Sequence, residues 1–388
     1  MGDEICINIK ANNIKSNKKL SWIKSKNIYT LAYFKERNSI PFTPIPVTQK
    51  RLIKYLILLG LLIINVAWWS YIDRPHVVKP GSEKLDCVSY NPYRNEYSLD
   101  ENKKEVTRET IDADFEIIAK RFRCVRTYTT LYGMDAVPEI AEKHGLTVVL
   151  GVWISADLME NMHDLETALI IAKKSSAVTH VLIGNEALFF NIVSQKYIYL
   201  YLSYAHTQIQ QPISTGEIVS TWDQYKKLGE LSDFIAIHVF PYWNNVPIEK
   251  AISYLDGEYD FMEKLFPDKE VMVAETGWPS NGVDHGPAEA TLLNQATYIR
   301  TASKHLEEKH VRYNIIEAFD QPWKIFGTEK HAGGSFGVFD DQGREKFALS
   351  GPLSLYGSSF MVRFIDQTRD SLAKKIPEKY HKLDIFSL

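Results

Sequence analysis

The chain is short of cysteine, with three in 388 residues, too few for a disulfide framework of the kind that holds small secreted folds together. It has no Cys/His spacing of the zinc-binding kind and no glycine-rich phosphate loop. No metal or cofactor is therefore expected, and nucleotide-dependent chemistry has no support. Excess charge is also lacking. The formal net charge is −3, and nothing in that balance points to a nucleic-acid partner. What the chain does have is apolar and aromatic residues, 45% and 12% of the total, enough for a sizeable core.

The small net charge hides an asymmetry. Residues 1–54 hold eleven Lys/Arg against three Asp/Glu, a net of +8. The other residues hold 34 basic and 45 acidic groups, a net of −11. Tyr55 to Ile72 is a run of 18 residues without a formal charge, about what a helix needs to cross a bilayer. Lys50, Arg51 and Lys54 precede this run, and Trp68, Trp69 and Tyr71 lie near its far end. The positive-inside rule and the aromatic belt then put the N-terminus in the cytoplasm and the remainder on the periplasmic or extracellular side. The long basic segment ahead of it, without an Ala-x-Ala-like site, favours an uncleaved signal anchor in the cell membrane over a cleaved signal peptide. The expected organisation is a basic, mostly disordered arm over 1–50, a single transmembrane helix over 51–72 and a linker over 73–84. A catalytic domain follows over 85–352, then a tail over 353–388 in which Phe360–Ala373 reads as one helix and no chemistry is legible.

From Leu85 the pattern alternates between short apolar runs and amphipathic stretches of 3.6-residue period. Strands are expected over Leu85–Tyr93, Cys124–Thr130, Thr147–Ser155, Val178–Ala187, Pro212–Ile218, Phe234–Tyr242, Glu270–Thr276 and Tyr313–Phe319, with helices between them. Roughly eight strand–helix units in about 250 residues have the rhythm of an α/β fold of the (β/α)8 TIM-barrel type. An open doubly wound sheet rarely needs so many units. Cys87 and Cys124 fall near the starts of the first two strands, where a bridge is geometrically conceivable, although burial as free thiols is the commoner state.

Two of these strands end in a carboxylate: Val181-Leu182-Ile183-Gly184-Asn185-Glu186 and Val271-Met272-Val273-Ala274-Glu275. A lone buried carboxylate is costly unless it is paired or used. Two at strand ends are what glycoside chemistry requires, one to protonate the leaving oxygen and one to attack or stabilise the sugar. Ala274-Glu275-Thr276-Gly277-Trp278-Pro279-Ser280 resembles the signature of glycoside hydrolase family 17, the β-1,3-glucanase family. Gly184-Asn185-Glu186 is similar to that family's acid/base segment. Glu317-Ala318-Phe319-Asp320-Gln321-Pro322-Trp323-Lys324 is similar to a segment of its bacterial and fungal members, and with the anchor it suggests a bacterial membrane-anchored branch. The resemblance implies a barrel with Glu186 as acid/base and Glu275 as nucleophile. It also implies retention of anomeric configuration, with carboxyl groups about 5–5.5 Å apart.

Other residues gather at the same expected rim. Asn185 either bonds a sugar hydroxyl or closes its turn. Arg126 and Tyr128, two apart on one strand, share a face and either reach Glu275 and the substrate or form an internal ion pair. His238 is either a substrate contact or a satisfied core histidine. Tyr242, Trp278, Trp323 and Trp153 are expected as aromatic platforms for sugar rings, with burial in the core as the alternative for any one of them. Glu317, Asp320 and Lys324 complete the expected substrate-binding set. Gln321 stands where some relatives carry a carboxylate, which leaves the supporting acid of that segment open.

The expected function is cleavage of β-1,3-glucan, polymer or oligosaccharide, outside the cytoplasm, with endo or exo mode undecided. Transfer of the glucosyl group to another sugar uses the same carboxylates and is the alternative. Members that accompany glucan synthesis leave a synthase as an unidentified partner. An inactive glucan-binding envelope protein is a third reading, against which the retention of both glutamates speaks.

Overall fold

The computed structural model describes residues 21–25, 28–32, 47–72, 83–94, 105–326 and 330–349. The chain divides into two units, residues 1–69 and 70–388. In the first, Ser21–Ser25 pairs antiparallel with Ile28–Ala32, so the arm expected to be disordered contains a short strand pair rich in Ile, Tyr and Trp, residues that favour strands. The following helix runs from Val47 to Ile72, starting a turn before the expected anchor. Its Arg51–Trp68 segment is long and apolar enough to cross a membrane, and none of it is buried within the protein. The expected linker from 73 to 82, the rest of the arm and the tail helix Phe360–Ala373 lie outside the described residues.

In the second unit, eight apolar runs form parallel strands buried on both faces, as parallel sheets require. They are β1 (Leu85–Ser89), β2 (Phe122–Arg126), β3 (Thr147–Val152), β4 (Val178–Asn185), β5 (Ile213–Ile218), β6 (Phe234–His238), β7 (Glu270–Thr276) and β8 (Tyr313–Ile315). Each pairs with the next, and β8 returns to β1 with Asn314 beside Cys87, closing the barrel. Helices connect the strands, among them Arg108–Ile118, Leu158–Lys174, Gln195–His206, Ala251–Leu265 and Leu292–Glu308. Polar residues start three of these helices by accepting from backbone N–H groups: Thr107 from Thr110, Asp157 from Met159 and Glu160, and Thr291 from Asn294. The architecture is a TIM barrel.

Several strands stop earlier than the apolar pattern suggests. β1, β2, β6 and β8 end at Ser89, Arg126, His238 and Ile315, and the residues beyond them form the loops of the C-terminal face. β2 also starts earlier than the expected Cys124, with Phe122 opening it beside Leu85. Two apolar layers fill the unit. One lies between strands and helices and includes Phe115, Leu165, Ile198, Leu255 and Ile299. The other fills the barrel lumen with Cys87, Cys124, Val149, Leu182, Phe234, Ala236, Met272 and Ala274. Cys87 and Cys124 are register partners on β1 and β2, and their sulfurs are joined in a disulfide.

Candidate active site

Alternation along the strands sets what lies above the lumen. Two residues beyond Cys87, Cys124 and Ala236 come Ser89, Arg126 and His238, all buried. Simple alternation does not place the two glutamates, because both of their strands carry an irregularity just before the site. Between β6 and β7 the pairing passes from Ile237–Val273 to His238–Glu275, one residue against two. Between β4 and β5 it passes from Leu182–Ser214 to Asn185–Gly216, three against two. An extra residue of this kind re-aims the side chains that follow it. After it, Glu186 adopts φ +52°, in the left-handed region, which few non-glycine residues occupy.

The result brings the carboxylates together. An oxygen of Glu186, an oxygen of Glu275 and a ring nitrogen of His238 all lie within 4.8 Å of one another. Arg126 lies beneath Glu275 and is itself buried. Its Nη1 donates to Glu275 Oε1 and to the carbonyl of Ala274, both at 2.8 Å, and its Nη2 donates to Asn185 Oδ1 at 2.7 Å. The Tyr128 hydroxyl stands 2.8 Å from Glu275 Oε1 and 2.8 Å from Ser89 Oγ, which in turn accepts from Asn314 Nδ2 at 2.6 Å. His238 Nδ1 shares a 2.8 Å hydrogen bond with Glu186 Oε1 and stands 3.6 Å from Glu275 Oε2. Gly216 leaves room for this assembly, since a Cβ there would stand 2.7 Å from His238 Nε2 and 3.1 Å from Arg126 Nη2.

The electrostatics separate Glu275 from an ordinary buried acid. Burial acts to raise its pKa, but the charges of His238 and Arg126 and the Tyr128 hydrogen bond outweigh it, and the net direction is down. Burial drives the Tyr128 hydroxyl well above its usual range, with the Glu275 charge acting the same way, so it remains a donor. Among the described residues, Glu186, His238 and Glu275 are also the one group whose donor atoms could hold a metal ion. Arg126 already supplies a cation to that group.

The remaining expected contacts divide. Glu317 is buried and bound by Lys324 Nζ at 2.9 Å and Gln321 Nε2 at 2.7 Å, so the neutral Gln321 serves as a donor to Glu317. Asp320 is held by Lys346 Nζ at 2.9 Å in an internal ion pair. Trp323 is half-buried, with its indole N–H on the Tyr93 carbonyl at 2.8 Å. Two platform expectations are corrected. Trp278 and Tyr242 are fully buried. The Trp278 ring packs against Tyr242 and Tyr298, its N–H donates to the Glu289 carbonyl, and the Tyr242 hydroxyl donates to the Val283 carbonyl. Neither ring presents a face to a sugar. Trp153 is exposed, at 47%, with its backbone N–H donating to the buried Asp164 at 2.9 Å.

A third strand-end carboxylate escaped the sequence reading. Glu217 on β5 is fully buried and accepts from the backbone N–H groups of Leu188 at 2.8 Å and Phe189 at 3.2 Å. Burial pushes its pKa up to about 7, against the lowering effect of those N–H groups and of His238. The signal was present in Thr215-Gly216-Glu217, an acid ending a strand that was otherwise weak by pattern.

A parallel barrel whose C-terminal face holds two facing carboxylates, one of them locked to an arginine, is the construction of a glycosidase. Residues 87–337 match the family model described as the BtgE/BtgC glycoside hydrolase domain, and the chain belongs to that family. Among curated proteins, a probable beta-glucosidase btgE of Neosartorya fischeri is 27% identical over 226 residues, covering 55% of this chain and 40% of its own length. A probable glucan endo-1,3-beta-glucosidase btgC of Aspergillus clavatus is 24% identical over 313 residues, covering 71% of this chain and 43% of its own length. The chain thus spans less than half the length of these relatives. Among solved structures, a glycoside hydrolase family 17 β-1,3-glucanosyltransferase of Rhizomucor miehei superposes with a TM-score of 0.61 at 20% identity, over 70% of this chain and 98% of that one. A Formosa endo-laminarinase gives 0.60 at 19% identity, over 74% and 88%. These two likenesses concern the fold.

Proposed function

We propose that the protein is a retaining, β-1,3-glucan-active glycosidase of family 17, in a bacterial membrane-anchored branch, working outside the cytoplasm. The observation that carries this reading is the approach of an oxygen of Glu186 and an oxygen of Glu275 to within 4.8 Å, which supports the short carboxyl separation of retaining enzymes. Glu275 is the nucleophile. Its lowered pKa keeps an electron pair available to attack the anomeric carbon as the glycosidic C–O bond breaks. Glu186 gives its proton to the departing oxygen, and a glucosyl ester of Glu275 is formed. Glu186, now a carboxylate, takes a proton from water or from a sugar hydroxyl as that oxygen attacks. The ester breaks and Glu275 leaves as a carboxylate. Water gives hydrolysis and a sugar hydroxyl gives transfer. Arg126 and Tyr128 orient Glu275 from below, and His238 holds Glu186. The names of the btgC relative and of the Rhizomucor enzyme support β-1,3-glucan as the substrate class. The Cys87–Cys124 disulfide supports an oxidising compartment, and the apolar helix supports anchorage.

Laminari-oligosaccharides incubated with the protein should yield shorter products by hydrolysis or longer ones by transfer. Unchanged sugars would support the inactive binder. Azide tests the roles directly. Glu275→Ala with azide should give an α-glucosyl azide by direct displacement, and Glu186→Ala a β-glucosyl azide by opening of the ester. The same anomer from both variants would remove this assignment.

A further inference from the structure

Glu186 occupies an unusual place for an acid/base. It follows the last residue of β4 in a left-handed conformation, φ +52°, which is strained for a non-glycine residue. Something must hold the turn in place. Part of the answer is backbone pairing: Glu186 N donates to Gly216 O at 2.8 Å, Phe190 N to Glu186 O at 3.0 Å and Ile192 N to Ala187 O at 2.9 Å. The N–H groups of Leu188 and Phe189 are served by none of these bonds. Both point at the Glu217 carboxylate, one on each oxygen. Glu217 is the residue after Gly216, so one strand end grips the turn twice, by a backbone carbonyl and by a side chain.

A simple filler of the space between strand and helix would be apolar, as Ile213 is earlier on the same strand. A fully buried carboxylate is an expensive residue for that position, and here both of its oxygens are engaged on the turn that carries Glu186. On the proposed role of Glu186 as acid/base, we infer that Glu217 is a positioning residue for it, clamping the Leu188–Phe189 backbone so that the Glu186 carboxyl meets the leaving oxygen. Glu217 touches no reacting atom in this scheme and acts through the turn. A displacement of about 1 Å at a reacting group can cost about 10²-fold in rate, and general-acid assistance as a whole is worth about 10²–10⁴-fold.

The test uses the full chain and a series of aryl β-glucosides whose phenols range from poor to good leaving groups. Glu217→Ala removes both acceptors. Glu217→Gln keeps one oxygen and turns an amide N–H toward the other donor. The expected result is a kcat loss in Glu217→Ala of about tenfold or more on poor leaving groups. Activated ones should be nearly unaffected, KM little changed, and Glu217→Gln intermediate. In a Glu186→Ala background, Glu217→Ala should add almost nothing. Equal losses on all leaving groups, or full additivity with Glu186→Ala, would overturn the clamp and leave Glu217 a structural residue. If Glu217→Ala does not fold, the same comparison on Glu217→Gln decides. The Glu186→Ala variant alone keeps the two ideas apart. If it shows no leaving-group dependence, the acid/base assignment fails. If it does and the Glu217 variants do not, only the clamp fails.

Discussion

At the scale of single residues, the site turns on how a buried carboxylate is kept charged. Glu275 has a side chain only 5% exposed and its cation, Arg126, only 1%. Such a pair adds little to stability relative to an apolar replacement, yet removing one partner typically costs about 3–5 kcal/mol, because the other charge is stranded. Arg126→Met should therefore lower the denaturation midpoint sharply. It should also reduce kcat on good and poor leaving groups alike, since it disables the nucleophile and not the proton donor; a variant with normal kcat would show that Arg126 is structural only. Glu217 gives the opposite case and a pH dependence whose sign is fixed. Its pKa rises on folding from an ordinary 4.5 to about 7, chiefly through burial. Between those values the folded chain holds a proton that the unfolded chain has lost, so the contribution is complete below about pH 4.5 and disappears as pH rises through about 7. Thermal midpoints measured across that window should fall less steeply with pH in Glu217→Gln than in the parent. Parallel curves would contradict the shift.

At the scale of elements, the eight strands were legible because a parallel barrel buries both faces of each strand, and such runs stand out without any knowledge of their partners. The carboxylates at the ends of β4 and β7 were legible for the same reason, as charges interrupting apolar runs. The irregularities that aim them were not. The extra residues near Ala274 and Gly184 exist only in the register between neighbouring strands, and no local pattern encodes that register. Nor was the sorting of aromatic residues legible, because Trp153 and Trp278 both follow strands, and only packing separates an exposed ring from a buried one. Their variants should separate too. Trp278→Ala removes a ring packed between Tyr242 and Tyr298 and should cost about 3–5 kcal/mol of stability, as large-to-small core changes do. Trp153→Ala should leave the thermal midpoint nearly unchanged while raising KM for oligosaccharides. If Trp153→Ala left KM alone, the exposed ring would be no sugar platform.

At the scale of the whole molecule, three features bear on which side of a membrane the barrel occupies. Charge is the first: residues 1–54 carry a net of +8, and the remainder, which includes the barrel, carries −11. Lys50, Arg51 and Lys54 lie in the first turns of the helix Val47–Ile72, and Trp68 and Trp69 near its other end, the order expected when the N-terminus stays in the cytoplasm. The third feature is covalent. Cys87 and Cys124 form a disulfide in the barrel lumen, and mesophilic cytosolic proteins rarely keep such a bond. Cys6, in the basic segment, would then face the reducing side. The proposed topology predicts two outcomes in cells with the outer face of the membrane made accessible. Added protease should digest the barrel and spare the basic segment. A membrane-impermeant maleimide should leave Cys6 unmodified until the membrane is permeabilised, and should never modify Cys87 or Cys124 unless the protein is reduced and unfolded. Immediate modification of Cys6 together with a protected barrel would reverse the orientation, and the substrate would then have to be sought on the cytoplasmic side.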